Sequence, residues 1–216
     1  MSHSPCESGT VIIRHLDTTD FDATYDAMRL FTAAREATTP DELWLTDHPP
    51  VYTAGAAGRA EHFPDTGEDG GIPVTRIDRG GQITYHGPGQ PIVYTLLDLT
   101  RRGLKVRSLV QMLEQAVIDL LGDHGVVASR KAGAPGVYVG DAKVAALGLR
   151  VTRRGCYHGV ALNVDMDLSP FHLIDPCGYP GLAVTQTRSL GLEAGARELG
   201  EALAARIAAL LEAPHG

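Results

Sequence analysis

Cysteine is scarce in this sequence: its 216 residues include three, Cys6, Cys156 and Cys177. An odd count leaves at least one thiol unpaired, which speaks against a disulfide scaffold and for a reducing compartment. No apolar run approaches the roughly 18 residues of a membrane-spanning helix, and the opening MSHSPCE lacks the basic and apolar blocks of a secretory signal. A cytoplasmic protein with no membrane partner is expected. CxxC, HxxxH and HExxH spacings are absent despite nine histidines, so no metal site is expected. Positive charge is in deficit: 19 Lys and Arg against 26 Asp and Glu give a net −7, unlike a general nucleic-acid binder with its basic face. Internal repeats and low-complexity linkers are missing too.

What is present is ordinary globular material, 44% hydrophobic and 21% charged, in a length that suits one domain over 1–216 with residues 1–9 as a flexible arm. A chain of this size buries roughly 70% of its unfolded surface, so its core needs no covalent staples. Charge is unevenly spread. Residues 101–154 carry ten basic and four acidic side chains, net +6, leaving −13 for the rest. Such polarity either steers an acidic partner to one face or is merely solvated surface.

The 25 glycines and 13 prolines cluster around 55–91 and 131–140 and punctuate short β-branched runs. Strands are expected at 10–16, 42–46, 51–53, 74–77, 82–85 and 92–97. Tyr25, Met28, Leu30, Phe31 and Ala34 recur at helical spacing and predict a helix over 21–37 with Thr19 or Asp20 as cap. Leu109, Leu113, Val117, Leu120 and Leu121 form a second stripe, with Ser108 as its N-cap. Residues 137–139 and 143–152 around Gly140-Asp141 read as a tight hairpin with Lys143 just past its tip. Arg153-Arg154-Gly155 reverses the chain into 156–164, and an Ala/Leu-rich helix closes it over 193–211. Few helices and many strands predict an α/β (α+β) domain built on a mixed sheet.

Cys177 lies in IDPCGYPG, where prolines and glycines suit neither helix nor strand. It is either an exposed reactive thiol or a small buried filler. Cys156, on a strand, and Cys6, near the terminus, read as structural or incidental. A thiol of pKa about 8.5 is only about 3% thiolate at neutral pH, so a nucleophile needs a cationic neighbour or base, for which Lys143, His86 and His158 are candidates. Lys143 is equally readable as a solvated hairpin lysine. The stretch RGGQITYHGPGQ at 79–90 has neither the dinucleotide fingerprint nor the P-loop spacing. Its paired glycines beside Arg79 suit either close backbone approach to a ligand or a plain turn, and Thr84 and His86 share one strand face.

Together, DHPPVYT at 47–53, RGGQITYHGPGQ at 79–90, GVYV at 136–139 with KVAALG at 143–148, HGVALNV at 158–164 and PCG at 176–178 resemble the octanoyltransferase family, the lipoyl(octanoyl) transferases also called lipoate-protein ligase B. The resemblance covers most of the chain. It implies the biotin/lipoate protein ligase-like fold, a central mixed sheet flanked by helices, and an acyltransferase with a catalytic pair at Cys177 and Lys143. Substrate-binding positions carry over as Arg79, Gly80, Gly81, Gln82, Ile83, Thr84, Tyr85 and His86, then Ala146, Leu147 and Gly148, then Gly159, Val160 and Ala161. It implies a monomer that takes octanoyl from the phosphopantetheine thioester of acyl carrier protein. The acceptor is a lysine on a lipoyl domain of a 2-oxoacid dehydrogenase E2 subunit or on the glycine-cleavage H protein. No ATP and no metal cofactor is implied, since the donor thioester conserves the energy.

Two departures stand out. The family pattern has phenylalanine where this chain has Val160, which implies a trimmed pocket wall, and the residues after PCG usually read V-T-S rather than Val184-Thr185-Gln186. Ala145, Ala146 and Gly148 leave space for an apolar chain, and about six buried methylenes contribute up to roughly 5 kcal/mol. Arg150, Arg153 and Arg154 are candidate docking residues for acidic carriers. The rival readings are an ATP-dependent lipoate or biotin ligase, an octanoyl amidotransferase between lipoyl domains, a thioester hydrolase and a non-catalytic acyl-carrier binding module.

Overall fold

Alternation along two central strands sets the layering. On β2 (Glu42–Thr46), Leu43 and Leu45 turn to one face and Trp44 to the other; on β6 (Ile92–Leu96), Val93 opposes Ile92, Tyr94 and Leu96. The computed structural model describes residues 9–58, 71–174 and 182–213. Both strands are buried along their whole length, as expected of a sheet covered on both sides.

The first face is covered by α2 (Val106–Asp123) and α3 (Ala196–Glu212), which pack on each other and on the sheet. Leu109, Leu113, Val117, Leu120 and Leu121 form the α2 stripe; Leu199, Leu203, Ile207 and Leu211 form that of α3. They share the large core with Leu43, Leu45, Val93 and Val160. The second face is covered by α1 (Phe21–Ala33), whose Met28 joins Trp44, Tyr94, Leu96 and Tyr157.

The main sheet has seven strands. Its order is β1 (Ile12–His15), β2, β6, β10 (Gly155–Leu162), β9 (Ala142–Thr152), β8 (Ala134–Val139) and β7 (Ser129–Lys131). Only the β1–β2 pair is parallel, the rest being antiparallel. A second sheet orders β4 (Val74–Arg76), β3 (Val51–Ala54) and β5 (Ile83–His86). The expected mixed sheet is therefore present, as are the hairpin at Gly140-Asp141 and the reversal at Arg153-Arg154.

The differences from the sequence reading have local causes. Helix α1 stops at Ala33, short of residue 37, because Arg35 leaves the helix to meet Asp41 (Nη1 to Oδ1, 2.8 Å) and Glu36–Thr39 close a turn. Asp20 caps its start, accepting from the Ala23 N–H at 2.9 Å. Helix α2 starts earlier than expected: Lys105, in extended backbone, is the N-cap, and Ser108 lies inside the first turn. Helix α3 starts at Ala196, after Gly195, rather than at 193. Strand β7 was not anticipated; its three residues carry too little pattern to show one.

Asp41 is the polar centre of this frame. Its carboxylate, 1% exposed, accepts from Arg35, from Arg101 (2.7 Å), from Arg102 (2.5 Å) and from the Asp98 N–H (2.8 Å). Arg102 also donates to the Leu211 carbonyl at the end of α3. Removing one member of a buried ionic cluster strands the others, so Asp41→Ala is expected to lower unfolding free energy by about 3–5 kcal/mol. Urea denaturation of the purified variant checks this; a loss below about 1 kcal/mol would show the cluster to be energetically idle.

Candidate active site

The two sheets meet across a narrow, half-open cleft of about 60 Å³. One wall comes from the small sheet and the turn before it: Arg79, Gly81, Gln82, Ile83, Thr84 and His86. The other comes from the main sheet: Ile92 and Tyr94 on β6, Ala146, Leu147 and Gly148 on β9, and His158 to Ala161 on β10. Phe21, the first residue of α1, and Ile77 complete it. Small residues face each other where β9 and β10 pair, Ala146 opposite Ala161 and Gly148 opposite Gly159, and that is what leaves the space. The turn before β5 is clamped to β9 by the Gly80 N–H, which donates to the Leu149 carbonyl at 2.9 Å. Gly148 is required there, because a Cβ would lie 2.9 Å from the Gly80 carbonyl oxygen and 3.1 Å from Arg79 Cδ.

His158 reaches the cleft by breaking the strand pattern. Alternation along β10 would send it toward α2 with Cys156 and Val160. Its φ of 65° is the sole positive value on a non-glycine among the described residues, and its ring stacks on Tyr25 (5.5 Å between centroids) and neighbours Tyr94 and Tyr157 on the opposite face. The β6–β10 ladder opens here: Gly159–Ala161 pair with Tyr94–Ile92, Cys156 pairs with Leu97, and the register is continuous across the gap. The carbonyls released by the gap find donors: the Thr95 hydroxyl donates to His158 O (3.0 Å) and the Cys156 thiol to Thr95 O (3.5 Å).

Three histidines bound the cleft region, and burial lowers the pKa of each, His86 to about 3. Neutral rings have one N–H, and their partners assign it. His86 Nδ1 faces the Gln90 amide oxygen (2.7 Å) and so donates, leaving Nε2 as the acceptor; Gln90 Nε2 in turn donates to Asn163 Oδ1 (2.8 Å), and Asn163 Nδ2 to Thr185 O (2.9 Å). His48 Nδ1 donates to Thr19 O (2.7 Å), so Nε2 accepts from the Tyr94 hydroxyl (2.7 Å). His158 Nε2 is 3.3 Å from Asp78 Oδ1, and Tyr157 donates to Oδ2 at 2.5 Å. Burial pushes the Asp78 carboxyl up, but hydrogen bonds from His158, Tyr157 and Tyr25 outweigh it and hold it well below the usual carboxylate range.

Lys143 is the second residue of β9 and is 3% exposed. Its ammonium donates to Pro135 O (2.9 Å) and lies 5.2 Å from the Tyr138 ring centroid. Gly136, with φ of 139°, makes room: a Cβ there would stand 2.7 Å from Lys143 Cε. The Lys143 backbone pairs with the chain at 183–185, donating to Ala183 O (2.8 Å) and accepting from the Thr185 N–H (2.9 Å). Cys177 lies outside the described residues, as does Cys6. Ile174 and Val184, on either side of that stretch, both pack into the cluster of Tyr52, Tyr85 and Phe171 beside β5.

Of the substrate-binding residues named from sequence, all but Gly80 and Tyr85 line the cleft; Lys143 is not among its lining residues, and Ala145, expected to leave space for the chain, is instead buried in the large core. Gly80 serves the clamp to β9, and Tyr85, one position out of phase with Thr84 and His86, stacks on Tyr52 and Phe171 on the other side of its strand. Val160 touches the cleft but belongs to the large core, opposite Leu147, so its size is felt by the core first. Phe21, Ile77, Ile92 and Tyr94 were not anticipated; strand phase offered the only signal, and it does not say which faces oppose. Cys156 is buried, and burial raises its thiol to about 11, which fits the structural reading. Among the described residues no group of three metal-ligating side chains converges, and no helix is long and apolar enough to cross a membrane.

Residues 25–208 match the model of the lipoyl protein ligase A/B catalytic domain. The chain is 55% identical over 206 residues to an octanoyltransferase of Dechloromonas aromatica, covering 95% of this chain and 98% of that protein. It is 60% identical over 184 residues to an octanoyltransferase of Thiobacillus denitrificans, covering 85% and 83%. A crystal structure of lipoate-protein ligase A bound with ATP superposes with a TM-score of 0.74 over 94% of this chain and 85% of that one, at 16% identity, a likeness of fold.

The depressed His86 sets a pH dependence. The unfolded ring, at about 6.5, binds its proton before the folded one, at about 3. The contribution is therefore intact above about 6.5 and is lost on acidification toward 3, at up to about 1.4 kcal/mol per pH unit. Urea denaturation between pH 6.5 and 4.5 should show a shallower decline for His86→Gln than for the wild type. Equal slopes would mean that the folded ring already carries the proton.

Proposed function

The chain belongs to the lipoyl protein ligase A/B catalytic family, and from that membership we propose that it is a cytoplasmic octanoyltransferase of protein lipoylation, moving octanoyl from acyl carrier protein to a lysine of a lipoyl domain. The observation that carries this reading is the near full-length likeness to curated octanoyltransferases. The cleft supports it, being narrow, floored by alanines and glycines and walled by neutral rings, and so suited to a hydrocarbon chain.

In this reading the Cys177 thiolate attacks the octanoyl thioester carbonyl, the pantetheine sulfur leaves and takes up a proton, and octanoyl is held as an enzyme thioester. The acceptor lysine then attacks as a free amine. Only about one lysine in 2,500 is neutral at pH 7, a handicap of roughly 4.6 kcal/mol, so a base must take its proton. Lys143 gives its proton to the departing pantetheine thiolate and, now neutral, takes the ammonium proton of the acceptor lysine; the freed amine attacks, the C–N bond forms, the C–S bond to Cys177 breaks, and the second nitrogen proton passes to the departing Cys177 sulfur. The donor's thioester supplies the driving force, so neither ATP nor a metal takes part.

The carriers, acidic proteins, meet a basic surface. Of the ten basic side chains at 101–154, Arg101 and Arg102 pair with Asp41, Arg130 with Glu114, Lys131 with Asp141 and Arg150 with Asp78. Arg153 and Arg154 instead line a surface groove with Arg29, Asp26 and the exposed Leu30, and Tyr157 in that groove donates to Asp78, the partner of the cleft's His158. Docking belongs there.

Intact-mass measurement after mixing with octanoyl-carrier protein, without ATP, should show an octanoyl adduct on the wild type that chases onto an added lipoyl domain. Cys177→Ala should show no adduct. Transfer that appears only with ATP and free octanoate would install the ligase reading, and release of free octanoate the hydrolase. Arg153→Glu with Arg154→Glu should raise KM for the carrier about tenfold and flatten its salt dependence; unchanged values would remove the docking surface.

A further inference from the structure

We propose that His158, held by Asp78, is the stop that sets how long an acyl chain the cleft accepts; the inference rests on the octanoyl-transfer reading above. Strand geometry gives the direction. β9 runs from Lys143 past Ala146 and Gly148 to Leu149, and Leu149 pairs across the strands with His158. At about 3.3 Å per residue, Ala146 and Leu149 are roughly 10 Å apart. Eight carbons joined in a zigzag by bonds of about 1.5 Å reach roughly 9 Å. With the reacting carbonyl beside the end of the Lys143 side chain, which Gly136 and the Ala145 carbonyl place level with Ala145–Ala146, the methyl terminus arrives level with His158.

The wall changes character at that level. Up to it the chain meets Ile92, Ala146, Leu147 and Ala161. There it meets an imidazole bonded to the Asp78 carboxylate, which also accepts from Tyr157. The Gly80 clamp on Leu149 bars passage past Gly148. A further methylene must displace a buried ring that stacks on Tyr25 and is bonded to Asp78. The positive φ at His158 makes this wall: an ordinary strand residue would present its side chain to the core under α2. A non-glycine side chain keeps such a backbone only where its surroundings over-determine it, and the Thr95 hydroxyl and Cys156 thiol at the ladder gap, with the ring's own contacts to Tyr25 and Asp78, do so here.

His158→Gly tests the stop without endangering the fold, because glycine adopts this φ freely. Octanoyl-, decanoyl- and dodecanoyl-carrier proteins compete for transfer to a lipoyl domain, read by intact mass. The wild type should favour octanoyl, and His158→Gly should raise the dodecanoyl-to-octanoyl ratio of kcat/KM by about tenfold or more. Asp78→Asn, which keeps the ring and loosens its anchor, should move the ratio less and in the same direction. Wild-type transfer of octanoyl with an unmoved ratio in both variants overturns the stop alone. Failure of the wild type to transfer octanoyl overturns the functional reading and the stop with it.

Discussion

The carboxylate of Asp41 is the contact on which the rest of the molecule depends. Buried, it holds Arg35, Arg101 and Arg102, and Arg35 passes on through Nη2 to the Leu96 carbonyl where β6 pairs with β2. A buried cation is tolerable only beside its counter-ion. The ionic centre thus ties α1, the turn after it and the end of α3 to the central strands. On the other edge of β6 the ladder to β10 opens, and the released carbonyls are re-bonded by the Thr95 hydroxyl and the Cys156 thiol, which lets His158 turn into the cleft.

The cleft itself is a compromise between a low-dielectric slot and groups able to orient a reaction. Alanine and glycine at the β9–β10 pair supply volume, but a slot lined only by aliphatic side chains would hold a chain without registering where it ends. Neutral histidines are a suitable wall because burial keeps them uncharged. An uncharged ring packs like an aromatic while keeping one donor and one acceptor, both assigned here by their partners.

Much of this was legible beforehand, and the unevenness has physical reasons. Elements with a strong period were placed within a few residues: the α2 stripe, the hairpin at Gly140-Asp141, the strands through 92–96. Boundaries failed where a long-range contact outweighed local propensity, as when Arg35 left the α1 pattern for Asp41. Motif residues mapped well onto the cleft wall because phase along a strand is a local property, so Thr84 and His86 share a face and Tyr85 does not. Phe21, Ile92 and Tyr94 were missed because their presence depends on one sheet lying over another, which no local pattern encodes. The left-handed His158 was invisible too, since nothing in HGVALNV announces a break in alternation that Thr95 and Asp78, far away in sequence, stabilise.

Holding two halves of a site in one frame is the remaining problem, and the polar chain from His86 addresses it. His86, Gln90 and Asn163 are all nearly inaccessible, and each donor in the series finds an acceptor, Gln90 Nε2 also reaching the Tyr85 carbonyl, with the chain ending at the Thr185 carbonyl. Thr185 in turn bonds the Lys143 carbonyl, and the Asn163 N–H bonds that of Val144. The wall of the cleft and the strand carrying the lysine therefore move as one body. A buried network of this kind resists displacement because breaking any link leaves a desolvated donor or acceptor unpaired, at about 1–3 kcal/mol. Positioning to within about half an ångström is what group transfer demands of the residues around it, and here amides remote from the reacting atoms supply it.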